Sequence, residues 1–400
     1  MNPVRGGAAL SLVASTKLYW GMLLVLIAGT LLSPADSSGA SIFLSLPNLT
    51  DVLRQVSITG IIAVGMTFVI LSGGIDLSVG SVMALGCTLT AMLLTQDGWN
   101  RGAVLGCGAT ALVTGAAVYA AIHGLLARRA GGLVAHGVGG ALGLLTAAGV
   151  FAVIGPLLPG GLGVVPTIAL VLCAGLVVGA INGAAVSVGG LQPFIATLAT
   201  MVAVQGAARL TAGADQSVYP IYTGVNAPAG FELLRSAVGG VPVPGLVFLS
   251  VVLAAGVVLA KHRFGRTVYA IGGNEQAARL AGLAVGRAKV AVYAFSGLLA
   301  ALAGVLYAAQ YRQGKPDAGV GLELDAIAAV VIGGASLSGG KGTVTGALAG
   351  VLIFGLLTNI FQLCNIDSNA QLVLKGVIIV AAVALQQGRL PRLRRAGGAT

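Results

Sequence analysis

The stretch ITGIIAVGMTFVILSGGIDLSVGSVMALGCTLTAMLL, from Ile58 to Leu94, decides how this chain folds. It stays apolar for much longer than the roughly 20 residues that one membrane-spanning helix needs. It is interrupted once, at Leu71-Ser-Gly-Gly-Ile-Asp-Leu-Ser-Val-Gly-Ser81. Paired glycines at 73 and 74 can release the backbone from a helix, and Asp76 in such surroundings is costly unless it faces protein or water. The stretch therefore reads as two spans joined through an unwound turn. Two roles for the turn stay open. Asp76 is a helix cap with Ser78 in the first turn, or Gly73, Gly74, Asp76 and Ser78 line a polar path.

The remaining sequence extends the pattern. Of 400 residues, 57% are hydrophobic and 8% charged, and the mean hydropathy is +0.98. No water-facing surface accommodates such a composition, which excludes a soluble globule. A transmembrane β-barrel needs alternating strands, whereas Pro244 to Ala260 is apolar on every face. The prediction is an all-α polytopic integral membrane protein of about ten to twelve helices, some short or discontinuous. Hydropathy places them near 18–33, 52–72, 76–95, 102–127, 131–158, 164–187, 192–210, 244–260, 290–310, a short segment at 325–337, then 343–362 and 370–387. Arg5 and Lys17 precede the first apolar run, which lacks a well-defined cleavage site and reads as an uncleaved first span.

Alternation of these spans groups residues 1–17, Arg128 and Arg129, 261–289, Lys341 and the tail after 388 on one side. They hold 15 of the 22 Lys and Arg and one of the 11 acids, Glu275. Basic residues in short loops resist translocation, so this side is expected to be cytoplasmic, with both termini inside. Two loops stand out. The outside stretch 211–243 carries Asp215, Glu232 and Arg235 among prolines and glycines. The inside stretch 261–289 has a turn at Gly272-Gly273-Asn274 and then an alanine-rich run, Glu275 to Ala281, ending at Gly282. Asn274 caps this run, and Glu275 in its first turn suits the helix dipole.

Several chemistries are excluded. The net charge of +11 lies between apolar runs rather than on a polar face with interleaved aromatics, so nucleic acid is not expected. Cys87, Cys107, Cys173 and Cys364 form no CxxC pair, and His123, His136 and His262 are scattered, so no metal site is expected. Gly340-Lys341-Gly342-Thr343 resembles a phosphate-binding loop only superficially. Ala335 stands where that loop wants glycine, and Gly342 where it wants Ser or Thr. No Ser-His-Asp order or HExxH helix is apparent, and no catalytic residue is assigned.

Gly333-Gly-Ala-Ser-Leu-Ser-Gly-Gly340 shares the pattern GGxxLSxG with Gly73 to Gly80, a weak internal repeat of the kind seen in transporters with broken helices. An ion-gradient-driven secondary transporter of a polar solute would also show such breaks, with Asp76 as its best ionisable residue in mid-span.

Four longer phrases resemble the permease subunit of ribose-type sugar ATP-binding-cassette (ABC) importers. They are GMTFVILSGGIDLSVGSVMALG at 65–86, INGAAVSVGGLQPFIATLATM at 181–201, RFGRTVYAIGGNEQAARLAG at 263–282 and GGKGTVTGALAGVLIFGLLTN at 339–359, in that family's order. The resemblance implies a single permease domain over 1–400 in the bacterial inner membrane, working as a pair with a second permease copy. It also implies a solute-binding protein outside and ATPase subunits inside that bind ATP and Mg, with no cofactor on this chain. Within 261–289, Gly272, Asn274, Glu275, Ala277, Ala278, Leu280 and Gly282 would form the helix that couples to the ATPase. Gly73, Gly74, Asp76, Ser78, Asn182, Gln192, Phe194 and Thr197 would lie near the solute path. The chain departs from the family at 101–160, a Gly- and Ala-rich interval read as an inserted helix pair around Leu126-Ala-Arg-Arg-Ala-Gly131.

Overall fold

The computed structural model describes residues 20–35, 37, 39–95, 163–212 and 218–386, with a few helical positions between 115 and 149. In chain order the helices are α1 (Trp20–Leu32), α2 (Leu46–Leu71), α3 (Val79–Thr95), α4 (Val164–Ser187), α5 (Pro193–Ala212), α6 (Val243–Lys261), α7 (Arg263–Gly273), α8 (Glu275–Leu280), α9 (Val285–Tyr311), α10 (Leu322–Ile332), α11 (Val344–Leu363) and α12 (Ser368–Gln386). Six of the described helices are long and apolar enough to cross a membrane: α2, α4, α5, α6, α9 and α11. The chain is therefore all-α and polytopic, as its composition predicts.

Helix ends follow local chemistry. The Ser45 hydroxyl accepts from Asn48 N at 3.3 Å and starts α2. Thr343 does the same for α11 through Gly346 N at 3.0 Å. Helices α2, α3, α9 and α11 form the most buried part of the bundle, while α4, α5 and α6 keep wide apolar faces outward. Helix α9 is the central post, packed against α2, α3 and α4. Its neighbours come close because glycines remove side chains at the seams. Gly175, Gly179 and Gly183 of α4 recur every fourth residue and face Gly297, Tyr293 and Val290 of α9. On the α3 side, Gly86 approaches Ala301, and Gly304 approaches Met83. Without a hydrophobic drive between helices in lipid, such close packing supplies much of the association.

One end of the bundle is stapled by polar contacts. Two-residue strands β1 (Tyr219–Pro220), β2 (Ala237–Val238), β3 (Val241–Pro242) and β4 (Gln313–Gly314) form two antiparallel pairs there, with Tyr219 opposite Gly314 and Ala237 opposite Pro242. Asn48 and Asn359 exchange hydrogen bonds at 3.0 and 2.9 Å. Glu232, noticed in the sequence, pairs with Arg312 at 2.7 Å and Arg235 at 3.3 Å. The Arg312 guanidinium holds the Glu232 carboxyl below its usual range. At the opposite end, Leu71, Gly272 and Gly340 meet, and Ser187 lies beside Gly286. These groupings match the predicted alternation of loops.

Two expectations need correcting. The turn predicted at Gly272-Gly273-Asn274 is shorter, because α7 runs helically through both glycines and breaks only at Asn274. Helix α7 itself was hidden in a stretch that reads as a basic loop. It is amphipathic, with Gly265, Val268 and Ile271 buried and Arg263 and Arg266 exposed. The short segment predicted at 325–337 is helical over only 11 residues, Leu322–Ile332. At about 1.5 Å per residue it spans about half of a bilayer core. Residues 315–321 lead into it without a helix, with Pro316 and Gly319 buried in protein, Gly319 against Gly80, and Asp317 and Val320 exposed. Non-helical backbone at membrane depth is tolerated in such a setting.

The interval 101–160 lies largely outside the described residues, as does Asp215. Where it is described, Gly115 faces Gly143 and Ala147, a close approach through small residues.

A Cβ at Gly179 would collide with the Tyr293 carbonyl, whereas one at Gly206 meets open space. Gly179→Ala should destabilise the detergent-solubilised protein by about 1–3 kcal/mol through overpacking, and Gly206→Ala should leave the unfolding midpoint close to that of the unsubstituted chain. Thermal unfolding of the two variants checks this, and equal midpoints would contradict the seam.

Candidate functional site

Helices α7 and α8 form a hairpin under one end of the bundle. Helix α7 lies on α2, α6 and α9, with Phe264 stacked on Phe68 at 6.3 Å between ring centroids. Asn274 ends α7, and its side chain accepts from Ala277 N at 2.9 Å to begin α8. Gly282 ends the unit in the left-handed region at φ 77°, a conformation that favours glycine. Only Ala278 of α8 is buried, while Ala277 and Leu280 are exposed, Leu280 to 90%. Glu275 fixes the helix on its base through Lys289 of α9 at 2.6 Å and pairs along the same helix with Arg279 at 2.9 Å. The result is a short, rigid helix presenting small residues and one prominent leucine.

The hairpin touches both glycine-broken segments at one point. Gly340 N donates to the Leu71 carbonyl at 2.9 Å. A Cβ on Gly272 would overlap that same carbonyl and crowd Gly340 N. A Cβ on Gly339 would come within 2.9 Å of the Gly272 Cα and 3.0 Å of the Gly73 Cα. The Tyr269 hydroxyl adds a bond to the Gly342 carbonyl at 2.8 Å. The chain ends of α2 and of the segment after α10 thus meet backbone to backbone, with the hairpin wedged against both.

The two breaks share a turn geometry, displaced by one residue from the GGxxLSxG pattern. Gly73 and Gly334 both have positive φ, at 81° and 91°. Gly74 N and Ala335 N reach back to Val69 O and Val330 O, so Gly73-Gly74 corresponds to Gly334-Ala335 rather than to Gly333-Gly334. After the turn the sequence register returns, since Ser78 N donates to the Asp76 carboxylate as Ser338 N donates to the Ser336 hydroxyl. Ile75 is the extra residue in the first break.

Above the first break sits a buried polar knot. Asp76 Oδ1 accepts from Ser78 N at 3.0 Å and Ser78 Oγ at 2.6 Å, and its Oδ2 accepts from Ser296 Oγ at 2.9 Å. Asn182 Nδ2 donates to Ser78 Oγ at 2.8 Å, and Thr197 Oγ1, which donates to the Pro193 carbonyl of its own helix at 2.9 Å, lies 3.3 Å from the Ile75 carbonyl. Asp76, Asn182 and Thr197 have no exposed surface, and Ser78 has 1%. Gly74 is required beneath the knot, because a Cβ there would strike the Tyr293 hydroxyl. Of the residues predicted near a path, Asp76, Ser78, Asn182 and Thr197 therefore converge, but on one another. Gly73, Gln192 and Phe194 are exposed, with Phe194 at 53%. Sequence reasoning assigned no role to Leu71, Ser296, Gly339 or Gly340. Gly339 and Gly340 stood within quoted phrases, whereas nothing in a serine inside an apolar helix marks Ser296.

Comparison with known proteins agrees with this architecture. The profile of the family described as branched-chain amino acid transport system / permease component matches residues 48–132 and 126–383. The ribose import permease protein of Bacillus subtilis (strain 168) is 37% identical over 372 residues, covering 92% of this chain and 91% of that protein. The ribose import permease protein of Escherichia coli (strain K12) is 37% identical over 345 residues, covering 85% and 86%. The xylose transport system permease protein of the same strain is 36% identical over 379 residues, 90% of each chain. No solved structure matches.

The seating of α8 has a pH signature. Burial opposes the charged form of Glu275, but Lys289 and Arg279 outweigh it and hold the carboxyl below its ordinary 4.5. A carboxyl with a lowered folded pKa contributes stability that is fully present above the unfolded value and is lost as pH falls through the folded one. Amide-exchange protection over 275–281 should stay level from neutral pH to 4.5 and decline below it. Glu275→Gln should show the reduced protection at neutral pH, and a flat profile for both proteins would contradict the role of this carboxylate.

Proposed function

The chain belongs to the family of branched-chain amino acid transport permease components, and from that premise we propose that it carries a monosaccharide or similar small polar solute as the membrane-spanning subunit of an ABC importer. It is a multi-pass membrane protein and a permease. Support for a sugar comes from the ribose and xylose permeases that resemble it along most of their length. We assign the charge-rich end to the cytoplasm on the strength of the 15-to-1 basic bias, with both termini inside. ATP and Mg bind to separate ATPase subunits on that side, a solute-binding protein docks on the loops around Glu232 and Arg312, and a second permease copy completes the channel.

The observation that carries this reading is the junction of Gly272 with Leu71 and Gly340. In the proposed mechanism α8 is the coupling helix, with Leu280 and Ala277 meeting the ATPase and Gly282 and Asn274 fixing its ends. A rigid helix pressed on firm spans transmits rigid-body movement. Through Gly272 that movement reaches both broken segments, and through Gly73 and Gly74 it reaches the knot of Asp76, Ser78, Asn182 and Thr197. The knot holds the walls together beside the route, and Gln192 just before α5 and Phe194 on its open face are the lining of that route.

Reconstitution with the ATPase and binding protein tests the assignment. Gly272→Ala should lower sugar uptake by at least about tenfold, equivalent to about 1.4 kcal/mol, with normal insertion, because its methyl group displaces the Leu71 carbonyl. Gly273→Ala, which meets open space, should keep uptake near that of the unsubstituted chain. Leu280→Asp should separate the permease from the ATPase. Equal uptake for the two glycine variants, or full assembly with Leu280→Asp, would overturn the coupling assignment.

A further inference from the structure

Between α2, α9, α10, α11 and α12 lies a cleft of about 210 Å3. It is smaller than the sites of drug-sized ligands, about 300–1,000 Å3, and limits an occupant to a small solute. Its walls carry Gln55 and Thr59 of α2, Tyr307 and Tyr311 of α9, Asp325 of α10 and Lys375 of α12. Tyr311 ends α9, Gln55 lies in the first half of α2 and Lys375 in the first half of α12. The cleft therefore sits in the half of the bundle nearer β1 and β4, the end assigned above to the outside.

Its chemistry is unlike the rest of the apolar interior. The side chains of Gln55, Thr59, Tyr307 and Tyr311 make no hydrogen bond among the described residues. On the same helix, Ser57 and Thr67 each return a hydrogen bond to the carbonyl four residues earlier. Gln55 and Tyr311 are exposed at the mouth and Thr59 and Tyr307 are half-buried within, so their open donors and acceptors are accessible to water or a polar ligand. Charge is already cancelled there, because Lys375 Nζ meets Asp325 Oδ2 at 2.9 Å and sits 5.3 Å from the Phe354 ring centroid. Tyr307 and Tyr311 lie with ring centroids 4.4 Å apart and offer adjoining apolar faces. Open amide and hydroxyl groups, neutralised charge and an aromatic wall suit a neutral polyhydroxyl compound better than an anionic lipid headgroup, which would seek an unpaired cation.

We propose that this cleft is a binding site for the transported monosaccharide on its way from the outer surface to the broken segments. The inference rests on the transport reading above. Thr59 and Gln55 supply hydrogen bonds, Tyr307 and Tyr311 contribute hydroxyls and a stacking surface, and the Asp325–Lys375 pair stands in the wall.

The test uses the full chain with its native cysteines replaced, assembled with its partners, and labelled D-ribose and D-xylose as probes. Thr59→Val and Tyr307→Phe each remove one hydrogen bond and should raise the KM for uptake about threefold to tenfold, more than they alter the maximal rate. Lys375→Met should lower uptake by leaving Asp325 unpaired, and adding Asp325→Asn should restore most of it. Independently of uptake, modification of Thr59→Cys by an impermeant thiol reagent should be slowed at least about threefold by saturating sugar. Unchanged KM in both hydrogen-bond variants together with absent protection would overturn the site. So would a co-purifying phospholipid that is lost in the variants while uptake persists, which would make the cleft a lipid site. If the unsubstituted importer takes up neither sugar, the transport reading fails, while protection of Thr59→Cys, present or absent, still decides whether the cleft binds sugar.

Discussion

Backbone that leaves a helix inside a bilayer must find hydrogen-bond partners within the protein, and the rest of this structure depends on how that requirement is met. Leu71 O, released at the end of α2, accepts from Gly340 N of the other break. The bond forms because Gly73, Gly272, Gly339 and Gly340 lack side chains, so three backbone segments share a space that side chains would fill. Two interruptions that are each unfavourable alone satisfy one another. The same contact gives the hairpin of α7 and α8 a direct grip on both.

The two ends of the bundle are consequently built from different materials. At the end bearing β1 and β4, polar side chains do the joining: Asn48 with Asn359, Arg209 with Asp317, and Glu232 with Arg312. At the opposite end the Glu275–Lys289 pair seats α8, but the joints between the hairpin and the two breaks are mainly glycine contacts and backbone bonds. Ion pairs through long side chains tolerate small displacements. Backbone packed without intervening side chains does not, since interiors are close-packed and respond to strain by shifting as units. A push on α8 therefore moves the breaks instead of being absorbed. Helix α9 spans both regimes, from Lys289 beneath Glu275, past Ser296 on Asp76, to Arg312 on Glu232 just beyond its end.

Much of this was legible in the sequence. Apolar runs located the spans because hydropathy follows composition alone, and α4 matches its predicted limits, 164–187. Asn274 and Gly282 marked the ends of α8 through capping chemistry that needs no tertiary information. Helix α7 was missed because its seven polar or small residues among eleven dilute a pattern that burial makes plain. The register of the repeat was misjudged by one, since GGxxLSxG records residue identity while the turn is set by which glycine adopts positive φ. Asp76 left two roles open, and its partners Ser78 and Ser296 come from segments 220 residues apart in the second case, beyond any local signal. The cleft gave no signal either, because Gln55, Thr59, Tyr307 and Lys375 belong to helices that read separately as ordinary spans.

The central claim is that α8 and both broken segments move as one body. Hydrogen–deuterium exchange on the assembled importer, compared with and without nucleotide on the ATPase, measures this directly. If the junction transmits motion, peptides covering 263–284, 72–78 and 333–342 should change protection together, with the amide of Gly340 among those that respond. A change confined to 263–284, with both broken segments unaltered, would contradict the account.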